Sequence, residues 1–150
     1  MTLFLLLKWL HVVLAILAVG ANATYAIWLA RAEREPEHRL HVLRGVKLID
    51  DRMANPAYAL LAVTGFAMVF TAGGFLQQTW LQIAIGLYAT VIAVGLFGYT
   101  PTLRAQIASL ASGGEPVAYA RLAARGRLLG ILLAIDVLAI VFLMVVKPGS

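Results

Sequence analysis

Asp136 is a single carboxylate set in hydrocarbon. It lies in the middle of Leu128–Val146, a run otherwise free of charged and polar side chains. Such a run is long enough to cross a bilayer. An acid at its centre costs at least about 2.5–3.5 kcal/mol on insertion. Other polar residues fall at a similar depth when each apolar stretch is counted inward at about 1.5 Å per residue. His11 lies roughly 12 Å in, and Thr64, Thr90 and Asp136 roughly 16 Å in. Gln82 lies nearer the outside and Asn22 nearer the cytoplasm. His and Asp are the residues that move protons within membranes. Asp136, His11, Thr64 and Thr90, flanked by Gln82 and Asn22, therefore read as one buried polar layer suited to proton- or ion-coupled transport. The plainer reading makes Asp136 a helix–helix hydrogen-bond anchor. His11 offers a second chemistry. It is the only histidine within an apolar run, and bundle cores hold haem between facing helices. Haem b at His11 is the one cofactor that these residues suggest, with Met68 as a second ligand or simply a packing residue.

Four apolar spans must position these groups, at about 2–30, 56–72, 79–99 and 127–146. Each is close to the ~20 residues that a transmembrane helix needs. Continuous apolar runs exclude the alternation of a barrel strand. The expected fold is all-α, a four-helix transmembrane bundle forming one domain over 1–150. In span one, His11, Ala15, Ala18 and Asn22 share a face. In span three, Gln82, Gly86, Thr90 and Ala93 do so. Small residues mark packed membrane-helix interfaces and polar ones hydrogen-bond across them, so both faces are expected to point inward. Asn55-Pro56 reads as a capped helix start, and Gly73-Gly74 as the end of span two.

The connections carry the charge. Arg31, Arg34, Arg39, Arg44, Lys47 and Arg52 lie between spans one and two, and Arg104, Arg121, Arg125 and Arg127 around the link between three and four. The turn between two and three has none. The positive-inside rule puts the basic connections in the cytoplasm and both termini outside. Trp9 and Trp80 then mark the outer interface and Trp28 the inner one. The cytoplasmic connections read as helical. Leu40, Leu43, Val46, Ile49 and Met53 recur at helical spacing after Pro36, giving an amphipathic segment that either lies on the membrane or extends span two. Pro101 to Ala111 extends span three. His38 and His41, three residues apart on the charged segment, read as a solvated face rather than a metal pair.

Composition narrows the function. The chain is 62% hydrophobic and 13% charged, with no cysteine, where a soluble domain carries about 25% charged residues. Thiol chemistry and Cys-ligated metals are excluded. The net charge of +5 is explained by topology, so no nucleic-acid partner is expected. No phosphate-binding glycine loop, nucleophile elbow or zinc-protease motif is present, so no catalytic residue is assigned and the chain reads as non-enzymatic. Ala21-Asn22-Ala23 mimics a signal-cleavage site, but the apolar stretch runs on to Leu29, which favours a retained helix.

Leu10-His11, Asp50-Asp51 ahead of Pro56, Thr64-Gly65, Trp80-Leu81, Leu87-Tyr88, Pro101 and Gln106 resemble a family of predicted bacterial four-span integral membrane proteins with no assigned function. That resemblance implies a fold and a bacterial inner-membrane location. Lys8-Trp9-Leu10-His11 and the ending Val145-Val146-Lys147-Pro148 are more distantly similar to the four-helix, haem-b-dependent protoporphyrinogen oxidases. In that family the histidine matching His11 is a haem ligand. Gln82 and Ala84 stand where it carries a histidine and an essential lysine, which removes the partner chemistry. The resemblance thus implies haem or porphyrin binding at His11. The expectation is a small multipass inner-membrane protein in contact with the lipid bilayer. It serves proton- or ion-coupled transport, haem or porphyrin binding, or a role as an accessory subunit of a larger membrane complex or homo-oligomer.

Overall fold

The computed structural model describes residues 2–73 and 75–149. Among these the chain is helical, with short turns and no strand. Helix α1 (Leu3–Arg34) has 32 residues, about 48 Å at 1.5 Å per residue. It therefore overruns the ~30 Å hydrocarbon core. Arg31 and Arg34 sit in its last turn, where cations favour the helix dipole. A 3-10 turn at Pro36–His38 reverses the chain, held by Arg39, whose Nε donates to the Ala32 carbonyl at 3.3 Å. Helix α2 (Arg39–Ile49) then runs through a π turn, Asp50–Ala54, into α3 (Asn55–Ala72). The amphipathic segment is thus an extension of span two, with Leu43 and Val46 buried. Gly73, at φ +62°, follows α3 in a conformation that glycine adopts without steric cost. Gly74, its expected companion in the turn, lies outside the described residues. Helix α4 (Thr79–Val94) continues through a second π turn, Gly95–Tyr99, into α5 (Thr100–Ala111). After a turn at Ser112–Glu115, α6 (Pro116–Val146) begins well before Arg127, the expected start of the fourth span.

Both π turns have the same physical cause. Pro56 and Pro101 stand one residue into the helices that follow them. Proline has no N–H, and its ring clashes with the carbonyl four residues back. An inserted residue widens the helix and relieves the clash. Asn55-Pro56 therefore lies within a continuous helical path and does not cap a free end. The N-cap position falls to Ala54, and the Asn55 side chain donates to Asp50 Oδ2 at 3.2 Å.

The helices associate in pairs. Along α1 and α3, Leu14, Ala18, Ala57 and Leu61 form a tight seam. Alanine lets two backbones approach closely, which is how membrane helices gain packing. Along α4 and α6 the buried residues are Trp80, Leu81, Ala84, Val91 and Val137. Consecutive helices α3 and α4 do not pack backbone to backbone. The pairs are joined at the end that carries the basic connections. There Ala21, Tyr25, Leu43, Val46, Ala54, Tyr99 and Leu103 form a second core. Arg127 of α6 bonds Glu33 of α1, and the Arg39 guanidinium lies 5.0 Å from the Tyr119 ring centroid. Four helical stretches are long and apolar enough to cross a membrane, at Leu3–Arg34, Pro36–Thr71, Thr79–Ala111 and Pro116–Val146. Their outward faces carry Phe70, Phe97 and Val145 almost fully exposed, as surfaces solvated by lipid do.

Candidate functional site

Because the helices pair, a cleft of about 950 Å³ opens between α1–α3 and α4–α6. Its volume lies within the roughly 300–1,000 Å³ of small-molecule sites. Small residues face one another across it, among them Ala23, Ala26, Ala59, Gly130 and Ala134. Their short side chains leave the space open. All five tyrosines of the chain, Tyr25, Tyr58, Tyr88, Tyr99 and Tyr119, line the cleft. Two of them bridge elements. Asn22 Nδ2 of α1 donates to the Tyr58 hydroxyl at 2.6 Å, and the Tyr88 hydroxyl of α4 donates to the Tyr58 carbonyl of α3.

The polar end of the cleft is built by the two π turns. The first carries Asp50, only 6% exposed. Asn55 donates to it, and Thr100, just past the second turn, stands beside it. The second π turn carries Tyr99 into the same wall. The Tyr25 hydroxyl feels Asp50, Tyr99 and Tyr58 electrostatically. Tyr25 is 5% exposed and its hydroxyl has no hydrogen-bond partner among the described residues. Gln106 completes the floor, its Nε2 donating to the Leu122 carbonyl at 3.2 Å. Gly126 makes room for that amide. A Cβ there would lie 2.6 Å from Gln106 Nε2.

The residues singled out in the sequence are divided among separate places. His11 and Thr64 do meet, with His11 Nδ1 2.8 Å from Thr64 Oγ1. Thr64 is buried and its hydroxyl donates to the Leu60 carbonyl at 2.8 Å. A hydroxyl has one proton to give; with that proton on the Leu60 carbonyl, Nδ1–H donates to Thr64 and Nε2 keeps its lone pair. Gly65 permits the approach, since a Cβ there would lie 3.3 Å from His11 Cε1. Asn22 lines the cleft through its bond to Tyr58. Thr90 and Gln82 do not join them. Both are exposed on α4, and Gly86 and Ala93 share that outward face. The expected inward face of span three is thus corrected to Leu81, Ala84 and Val91. Thr90 donates to the Gly86 carbonyl at 3.1 Å and Gln82 to the Leu76 carbonyl at 2.9 Å. Local backbone bonds satisfy both side chains, so neither needs a partner helix. Asp136 is half-buried at the edge of the α6 packing face. It has no hydrogen-bond or ion-pair partner among the described residues, and no bond joins it to His11. Trp80, expected at an interface, is buried, with the Lys147 ammonium 5.6 Å from its ring centroid.

A model of one protein family matches residues 5–148, nearly the whole chain. The chain belongs to the family described as predicted integral membrane protein (DUF2269). No curated protein and no solved structure matches it. Membership of DUF2269 makes the chain an integral membrane protein, and its four apolar helical stretches make it multipass. The cleft of this DUF2269 chain was not read from its sequence, although two signals were present. Each proline follows a polar residue inside a helical run, as Asn55-Pro56 and Thr100-Pro101, and so marks a π turn. An acid stands six residues before Pro56, at the place where the widened turn aims it inward.

Proposed function

We propose that this chain binds a lipophilic small molecule that partitions into the membrane and enters the cleft between the two helix pairs. The observation that carries the reading is the cleft itself, apolar along its length, with Asp50, Asn55, Thr100 and the unpartnered Tyr25 hydroxyl at one end. Apolar walls with a few convergent polar groups are the usual make-up of a ligand site. The proposed orientation follows the positive-inside rule, with the polar end of the cleft toward the cytoplasm of a bacterial inner membrane. The test is purification in mild detergent, followed by organic extraction and mass spectrometry. A single lipophilic species retained at near-stoichiometric amount, and lost when Ala59→Phe and Ala134→Phe fill the cleft, supports the reading. Bulk phospholipid alone, equal in both proteins, defeats it.

A second reading rests on Asp136. A carboxylate at mid-span with no partner among the described residues suits an accessory subunit whose partner helix supplies a hydrogen bond or a charge. Co-purification of a membrane protein lost in Asp136→Leu, with the chain itself still folded, supports that role. Haem ligation by His11 has its own readout. A Soret band abolished by His11→Ala assigns haem b to the free Nε2, and a colourless protein leaves His11 as a structural partner of Thr64.

A further inference from the structure

Resting on the cleft reading, we infer that the ligand's polar head is a protonated amine, held between the Asp50 carboxylate and the Tyr25 hydroxyl. Charge is the first ground. The chain as a whole carries +5, yet the ionisable residues of the cleft other than its tyrosines are Glu33, Asp50 and Arg127. Arg127 is bound to Glu33, so that pair is neutral as a unit. Lys47, one turn before Asp50, is bound to Asp51, and neither lines the cleft. Asp50 itself has no ion pair among the described residues, the Lys47 ammonium acting on it from outside the cleft. In so apolar a wall a lone carboxylate favours a cation over a neutral or anionic head.

Hydrogen bonding is the second ground. Asn55 and Thr100 steady the Asp50 carboxylate, but a carboxylate has about four lone-pair sites and can still accept. The Tyr25 hydroxyl is buried and unpartnered, and such a group is costly unless something satisfies it. It lies within electrostatic reach of Asp50. An ammonium N–H set between them satisfies both oxygens. The surrounding tyrosine rings add the attraction of their π faces for a cation. A quinone or a carboxylic acid leaves Asp50 unmatched.

The experiment uses the full chain in phosphatidylcholine nanodiscs and three probes sharing one cage: 1-adamantylamine, 1-adamantanol and 1-adamantanecarboxylate. Equilibrium binding is expected to favour the amine over the alcohol by about tenfold, the scale of one charge-assisted hydrogen bond. Asp50→Asn is expected to abolish that preference, bringing the amine down to the level of the alcohol. Asp50→Glu should keep the preference, and Tyr25→Phe should weaken the amine several-fold. Equal binding of amine and alcohol, tighter binding of the carboxylate, or an amine preference that survives Asp50→Asn overturns this inference and leaves the cleft reading standing. Failure of all three probes to bind removes both.

Discussion

A polar residue in a membrane helix is satisfied either by its own backbone or by a neighbour, and Thr90 and Thr64 show the two cases. Thr90 gives its proton to Gly86 and faces outward, so nothing else depends on it. Thr64 gives its proton to Leu60 and also receives His11. Thr64→Val is therefore expected to cost about 1–3 kcal/mol, because it strands the imidazole donor. Thr90→Val should fall within about 0.5 kcal/mol of the parent. Thermal unfolding of the two variants in the same detergent makes the comparison. Gly65 belongs to this scale too. Gly65→Ala puts a methyl against His11 Cε1, and overpacking of that kind costs about 1–3 kcal/mol. Its melting point should fall, and the His11→Ala background should remove most of the loss.

Two prolines decide what the helices present to the cleft. A regular helix advances each residue by about 100°, and the widened turns shift that phase before Asn55 and Thr100. Pro56→Ala restores the missing N–H and removes the ring clash. It is expected to let the π turn relax to α geometry and to swing Asp50 off the cleft wall. The chain should keep its helix content by circular dichroism while losing binding of the lipophilic ligand. Unchanged binding would mean that packing around Leu43 and Val46, not the proline, fixes the turn.

At the scale of the molecule, the pairs are tight inside and open between. Ala134→Phe, which projects into free space in the cleft, should leave stability level or raise it while blocking ligand. Ala18→Phe, in the α1–α3 seam where Ala18 is fully buried, should lower stability by about 1–3 kcal/mol or more. Parallel melting curves separate the two. Orientation can be read at the same scale because the chain has no cysteine. An impermeant thiol reagent on intact cells is expected to label Gln78→Cys and spare Ser112→Cys. The reverse pattern would invert the proposed topology.

Hydropathy and the placing of Arg and Lys were enough for four apolar helices, an all-α fold and helical extensions at the basic end. Those features depend only on length, composition and the need to satisfy every backbone group in lipid. The similar depth of His11 and Thr64 was also legible, because it follows from counting residues along each span. The rotation of α4 was not. Gln82, Gly86 and Thr90 carry the small and polar signature of an interface, but local backbone bonds satisfy Thr90 and Gln82, and bulkier Leu81 and Val91 take the packed side. Depth along an axis can be counted from sequence, whereas the angle around it is set by which side chains find partners. That angle left Asp136 without a bond to His11 and set Asp50 and the tyrosines on one cleft.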